Sequence, residues 1–117
     1  MKLLIIGSRS IKSFDISAFV PKNVDLIISG GASGIDKIAE QYADKNKISK
    51  LIIRPQYARY RRGAPIKRNK KMIDICDEIL AFWDGISSGT KSSILYAEET
   101  NTPIKVIRVD GNKNDIQ

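Results

Sequence analysis

A chain of 117 residues with 42% apolar content accommodates one domain with one core, and a second domain has no room. The absence of histidine and the single cysteine, Cys76, exclude disulfide frameworks, most zinc sites and every mechanism resting on an imidazole base, so any catalysis falls to carboxylates, hydroxyls or lysines. The formal charge of +7 is concentrated in Arg54, Arg59, Arg61, Arg62, Lys67, Arg68, Lys70 and Lys71, with no acid among them, and setting those eight aside leaves about −1.

The chain opens Met1-Lys2-Leu3-Leu4-Ile5-Ile6, five apolar residues before Gly7, against the ~20 that span a bilayer. This opening predicts an unexported, cytoplasmic protein with no membrane association. From there short β-branched runs alternate with stretches of helical period, the pattern of βαβ units. Lys2–Ile6 reads as the first strand, followed by a helix over Ser13–Val20 that Pro21 stops. A second strand over Asp25–Ser29 leads to a helix from Gly34 to Asn46, where Ile35, Ile38, Ala39, Tyr42 and Ala43 form one apolar stripe. At its start the Ser33 hydroxyl is placed to cap and Asp36, three residues on, to reach back as a capping-box partner.

Strands over Lys50–Arg54, Glu78–Trp83 and Ile104–Val109 and helices over Pro65–Asp77 and Ser88–Thr100 complete the series, with Pro65 suited to a first helical turn. Cys76, among Ile73, Ile75 and Ile79 and without a partner base, reads as core. Residues 1–110 are expected to form the domain and 111–117 a frayed tail. Right-handed crossovers turn this series into a three-layer, Rossmann-like domain on a five-stranded parallel sheet of order 3-2-1-4-5, with the first and fourth strands adjacent at the reversal point where such sheets bind ligands.

Three loops rich in Gly and Ser reach that edge: Gly7-Ser8-Arg9-Ser10, Gly30-Gly31-Ala32-Ser33-Gly34 and Asp84-Gly85-Ile86-Ser87-Ser88-Gly89-Thr90. Glycine admits close approach of backbone to phosphate, and each loop opens a helix whose free amides and positive dipole end favour an anion. Taken singly, each loop is equally an ordinary strand-to-helix turn; their number favours a phosphate site. No Walker A loop and no G-x-G-x-x-G with an acidic ribose reader is present, which removes specific support for ATPase and dinucleotide-dehydrogenase readings.

These segments resemble the SLOG superfamily of Rossmann-like domains, which includes the Smf/DprA and Lonely-guy proteins, and within it the small stand-alone YspA- and YpsA-like members. The resemblance covers nearly the whole chain and rests on Gly7-Ser8-Arg9, Ser29-Gly30-Gly31-Ala32-Ser33-Gly34-Ile35-Asp36, Arg68-Asn69 with Met72, and Trp83-Asp84-Gly85-Ile86-Ser87-Ser88-Gly89-Thr90. It implies a site for a nucleotide or nucleotide-derived ligand, with the Gly30-Gly31 loop and the Gly89-Thr90 helix start holding phosphate and sugar. Arg9 and Arg68 are then charge partners, and Asn69 a hydrogen-bonding group for a sugar or base edge. Lonely-guy enzymes carry a Gly-Gly-x-Gly-Thr-x-x-Glu stretch whose glutamate assists N-glycosidic cleavage; alignment on Gly89-Thr90 puts Ser93 at that place, which counts against a phosphoribohydrolase.

Asp84 and Asp36 are the carboxylates near the edge. Asp84 is a candidate base or turn former, and Asp36 a candidate ribose ligand or cap. No protein-held metal is expected, although magnesium arriving with a phosphate would find Asp84. Trp83 reads as strand-end core or as a platform for a base. Tyr57 and Tyr60 interleave with arginines, a composition that suits either single-stranded nucleic acid or a lid over a nucleotide hinged at Gly63-Ala64-Pro65. The resemblance and the small sheet also raise a homodimer.

Overall fold

A computed structural model describes residues 1–110, so the tail expected over 111–117 lies outside the described residues. Five strands, β1 (Lys2–Gly7), β2 (Leu26–Ser29), β3 (Ser49–Ile52), β4 (Glu78–Trp83) and β5 (Ile104–Arg108), form one parallel sheet in the order β3-β2-β1-β4-β5. The helices are α1 (Ile35–Lys45), the single turn α2 (Tyr57–Tyr60), α3 (Ala64–Ile75) and α4 (Ser88–Glu99), with a 3-10 turn over Arg61–Gly63. The result is a Rossmann-like three-layer α/β domain.

Burial follows strand position. Leu3, Leu4, Ile5 and Ile6 of β1 and Ile79, Leu80, Ala81 and Phe82 of β4 are all buried, because both strands are covered on both faces. Alternation sends Leu3, Ile5, Ile27, Leu80 and Phe82 toward α1, and Leu4, Ile6, Ile28, Ile79 and Ala81 toward α3 and α4. The edge strands are wetter, with Leu51 of β3 and Val106 of β5 exposed. β3 also begins one residue earlier and ends two earlier than its apolar run suggests. Its ladder with β2 closes at the pair Ser29–Ile52, leaving Ile53 to bond the Ser29 carbonyl and Pro55 to break the run.

The helix expected over Ser13–Val20 does not form. The Asp15 carboxylate instead accepts the Ser17 amide at 3.0 Å and the Ser17 hydroxyl at 2.6 Å, so a local turn replaces the helical ladder. The apolar residues of that stretch are still used: Ile11 and Ile16 are buried, and the rings of Phe14 and Phe19 each lie 5.6 Å from that of Phe82. This irregular segment covers the sheet beside α1 where a crossover helix would lie. Cys76 is half-buried, with its thiol pushed up to about 11 chiefly by burial, in keeping with a packed and unreactive side chain.

Candidate functional site

β1 and β4 pair side by side while their following loops diverge, and the gap beyond their C-terminal ends is a cleft of about 570 Å³, within the range of small-molecule sites. Gly7 closes its floor. A Cβ there would stand 2.5 Å from the Phe82 carbonyl and 2.6 Å from Ile35 Cγ1, so any side chain would force β1 away from β4 and α1. Ser8 follows, buried, its amide donating to the Phe82 carbonyl at 3.0 Å. Its hydroxyl accepts the Asp84 amide at 3.0 Å and pairs with the Ser87 hydroxyl at 2.7 Å, tying the first loop to the third.

The third loop is organised by Asp84. Its Oδ1 accepts the amides of Ile86 and Ser87, both at 2.8 Å, and its Oδ2 accepts the Ser10 hydroxyl at 2.8 Å. These donors, the Ser87 amide foremost, hold the carboxyl far below the usual carboxylate range. Asp84 is therefore a fixed anion, a poor general base and a good loop brace. The Ser87 carbonyl receives the Trp83 indole N–H at 3.0 Å and the Lys91 amide at 3.2 Å, and the latter is the first bond of α4. The amides of Ser88, Gly89 and Thr90 precede that bond and find no acceptor among the described residues. All three residues line the cleft, and the space where a Gly89 Cβ would stand is open.

The second loop is built differently. The Arg68 guanidinium reaches across from α3 to donate to the carbonyls of Gly30 and Ile53, and Arg54 donates to the Gly31 carbonyl at 3.1 Å. Asp36, buried, accepts the Ala32 amide at 3.1 Å, and the Ile35 amide goes to the Ser8 carbonyl at 3.4 Å. Two of the loop's carbonyls hold arginines, and its Ala32 amide and the adjoining Ile35 amide of α1 are already engaged. Gly34, not Ser33, is the residue before α1. It has φ +75°, and a Cβ on it would lie 2.6 Å from Arg9 Cα, so the capping box expected between Ser33 and Asp36 is replaced by a bond to Ala32. Burial pushes the Asp36 carboxyl up from its ordinary value, with the Ala32 amide and Arg68 opposing, and burial likewise draws the Arg68 guanidinium down.

Of the residues singled out from the sequence, Gly7, Ser8, Arg9, Ala32, Asp36, Arg68, Asn69, Asp84, Ser87, Ser88, Gly89 and Thr90 line one cleft. Ser29, Gly30, Gly31, Ser33 and Gly85 do not: Gly30 and Gly31 sit behind it against Arg68 and Arg54, and Gly85 faces Arg108. The lining also takes in Pro65 and Met72, whose spacing with Arg68 and Asn69 marks one face of α3, together with Ile86 and the buried Ser93. That spacing was available as a signal. The Asn69 side chain accepts Arg68 Nε at 2.7 Å, so the two form one unit on the cleft wall. Gly63 and Pro65, read as a hinge, are wound into the 3-10 turn and the first turn of α3.

Among the described residues no group of three or more acidic, His or Cys side chains is placed to hold a metal ion, and no helix is long and apolar enough to cross a membrane. No family model matches the chain, and no curated protein matches it in sequence.

Proposed function

We propose that the cleft between β1 and β4 binds a nucleotide or nucleotide-derived ligand by its phosphate, and that the protein works as a binding or sensing domain of SLOG type. One observation carries this reading: the amides of Ser88, Gly89 and Thr90 are unspent at the N-terminus of α4, in a cleft sized for a small molecule that Arg9 also lines. Asn69 and Asp36 on the facing wall supply hydrogen-bonding groups for the sugar or base. A phosphoribohydrolase is the weaker reading. The hydroxyl of Ser93 stands where the resemblance calls for a carboxylate, and Asp84 is too acidic to replace it as a base.

A thermal-shift screen of nucleoside mono-, di- and triphosphates, cyclic and linear dinucleotides and ADP-ribose tests the reading, with Gly89→Asp as the control. The new side chain enters open space and suits the helix dipole, so the variant folds while placing a negative charge among the three amides. A ligand at 100 times its Kd stabilises the wild type by about 2.7 kcal/mol. The expected result is one compound class that raises the wild-type melting temperature and leaves Gly89→Asp unmoved. No response to any compound, or an equal response in both proteins, overturns the proposal; release of free base from a bound nucleotide restores the hydrolase.

A further inference from the structure

The basic run between Arg54 and Lys71 is not explained by the cleft. At ~100° per residue, Pro65, Arg68, Asn69 and Met72 fall on one side of α3 and Lys67, Lys70 and Lys71 on the other. Arg68 is the member of the run that faces the ligand site. The rest, Arg54, Arg59, Arg61, Arg62, Lys67, Lys70 and Lys71, are exposed, and no ion pair engages them among the described residues.

These cations are arranged around aromatic rings. The Arg59 guanidinium lies 5.2 Å and the Lys67 ammonium 5.4 Å from the Tyr60 ring centroid, joining α2 to α3, and Lys70, one turn on, lies 5.2 Å from that of Tyr96 on α4. Tyr57, one turn before Tyr60, is 56% exposed. The strip thus runs from α2 through the 3-10 turn and along the outer face of α3, alternating rings with positive charge, and ends where Asp74 accepts the Tyr96 hydroxyl at 2.9 Å.

We infer that this outer face of α2 and α3 binds single-stranded nucleic acid, independently of the cleft. Arginine and lysine along a helix neutralise successive phosphates, and an exposed tyrosine stacks on any base, which together make a sequence-tolerant strand site. A membrane surface suits the strip less well. The apolar side of α3, with Met72 and Ile73, is buried in the core, leaving Ile66 as the exposed aliphatic residue of this helix and no face to insert among lipids.

Fluorescence anisotropy with a labelled 20-nucleotide oligo-dT tests the inference against vesicles containing one third phosphatidylserine and against inorganic polyphosphate. With about five phosphates contacted, affinity for the oligonucleotide falls about 100-fold between 50 and 200 mM salt. Lys67→Gln with Lys70→Gln weakens it at least tenfold, and circular dichroism confirms that this surface variant is folded. Tyr57→Ala weakens oligo-dT several-fold and leaves polyphosphate binding unchanged, since polyphosphate has no base to stack. Gly89→Asp binds the strand as the wild type does, whether or not the cleft takes a nucleotide. The inference is overturned by an oligonucleotide affinity that the lysine variant does not change, by one that Gly89→Asp abolishes, by equal losses for both polyanions in Tyr57→Ala, or by binding to vesicles alone.

Discussion

Two loops of nearly the same composition leave the same edge of the sheet with opposite polarity. After β2, Gly30-Gly31-Ala32-Ser33-Gly34 turns its first two carbonyls toward the guanidiniums of Arg68 and Arg54 and gives its Ala32 amide to Asp36. After β4, the carboxylate of Asp84 sits at the head of the loop and takes the Ile86 and Ser87 amides, leaving those of Ser88, Gly89 and Thr90 open to the cleft. The position of one aspartate separates the two. Inside the first turn of α1, Asp36 takes one amide of the preceding loop; upstream of α4, Asp84 takes two, braces the loop and leaves the Ser88, Gly89 and Thr90 amides without an acceptor among the described residues. Which amides a loop keeps available depends on where its carboxylate stands, and the proposed phosphate contact falls on those that Asp84 leaves.

Substitutions sharpen this contrast, and the largest effect is expected at Gly34. With φ +75° and a Cβ that would stand 2.6 Å from Arg9 Cα and the Ser8 carbonyl oxygen, Gly34→Ala costs about 2–5 kcal/mol, read as a loss in urea midpoint. Gly89→Ala, in open space within α4, changes stability little or raises it by up to about 1 kcal/mol. Equal costs at the two glycines would dissolve the distinction between a packed loop and an open one. Next is Arg68→Ala, which leaves the Gly30 and Ile53 carbonyls without their donor and costs about 1–3 kcal/mol. Retention of stability in that variant would mean that the second loop does not depend on the arginine it holds.

Asp84→Ala removes the brace and costs about 1 kcal/mol by analogy with the loss of a helix cap. Because the folded-state pKa lies below the unfolded value, the contribution of Asp84 is present above pH ~4 and is lost as pH falls further, so the variant shows a flatter acid limb in thermal melts. Asp36 has the opposite sign and the smallest effect. Its folded pKa is raised, so the folded state binds its proton up to a higher pH than the unfolded chain does, and stability declines as pH rises from about 4 through the folded value. Asp36→Asn keeps an acceptor for the Ala32 amide and removes that decline. The variant matches the wild type at pH 3 and exceeds it at pH 7, whereas a loss at pH 7 would show that the charge of Asp36 is needed by Arg68.

The strand order, the reversal point and the three loops at it were legible in the Ile, Leu and Val runs and in the Gly and Ser clusters that follow them, because strands buried on both faces are uniformly apolar. The segment over 13–20 was not. There the position between two strands and Pro21 suggest a crossover helix, but Asp15 and Ser17 close a turn that the apolar pattern does not report. Within the site, residue types located the loops, whereas the direction each backbone faces was set by groups distant in sequence. Arg68 lies 38 residues beyond Gly30, and Ser8, whose hydroxyl receives the Asp84 amide, lies 76 residues before it. Composition and the family resemblance point to Ser29, Gly30 and Gly31 as ligand contacts, while the fold buries Ser29 and sets Gly30 against Arg68 and Gly31 against Arg54, off the cleft.

The most direct test of the central claim is a two-dimensional 15N amide spectrum recorded while a nucleoside monophosphate is titrated into the protein. The account predicts that the resonances of Ser88, Gly89 and Thr90 move first and farthest, with those of Gly30 and Gly31 nearly still. Large shifts at Gly30 and Gly31 with Ser88–Thr90 unmoved would contradict it and transfer the phosphate site to the loop after β2.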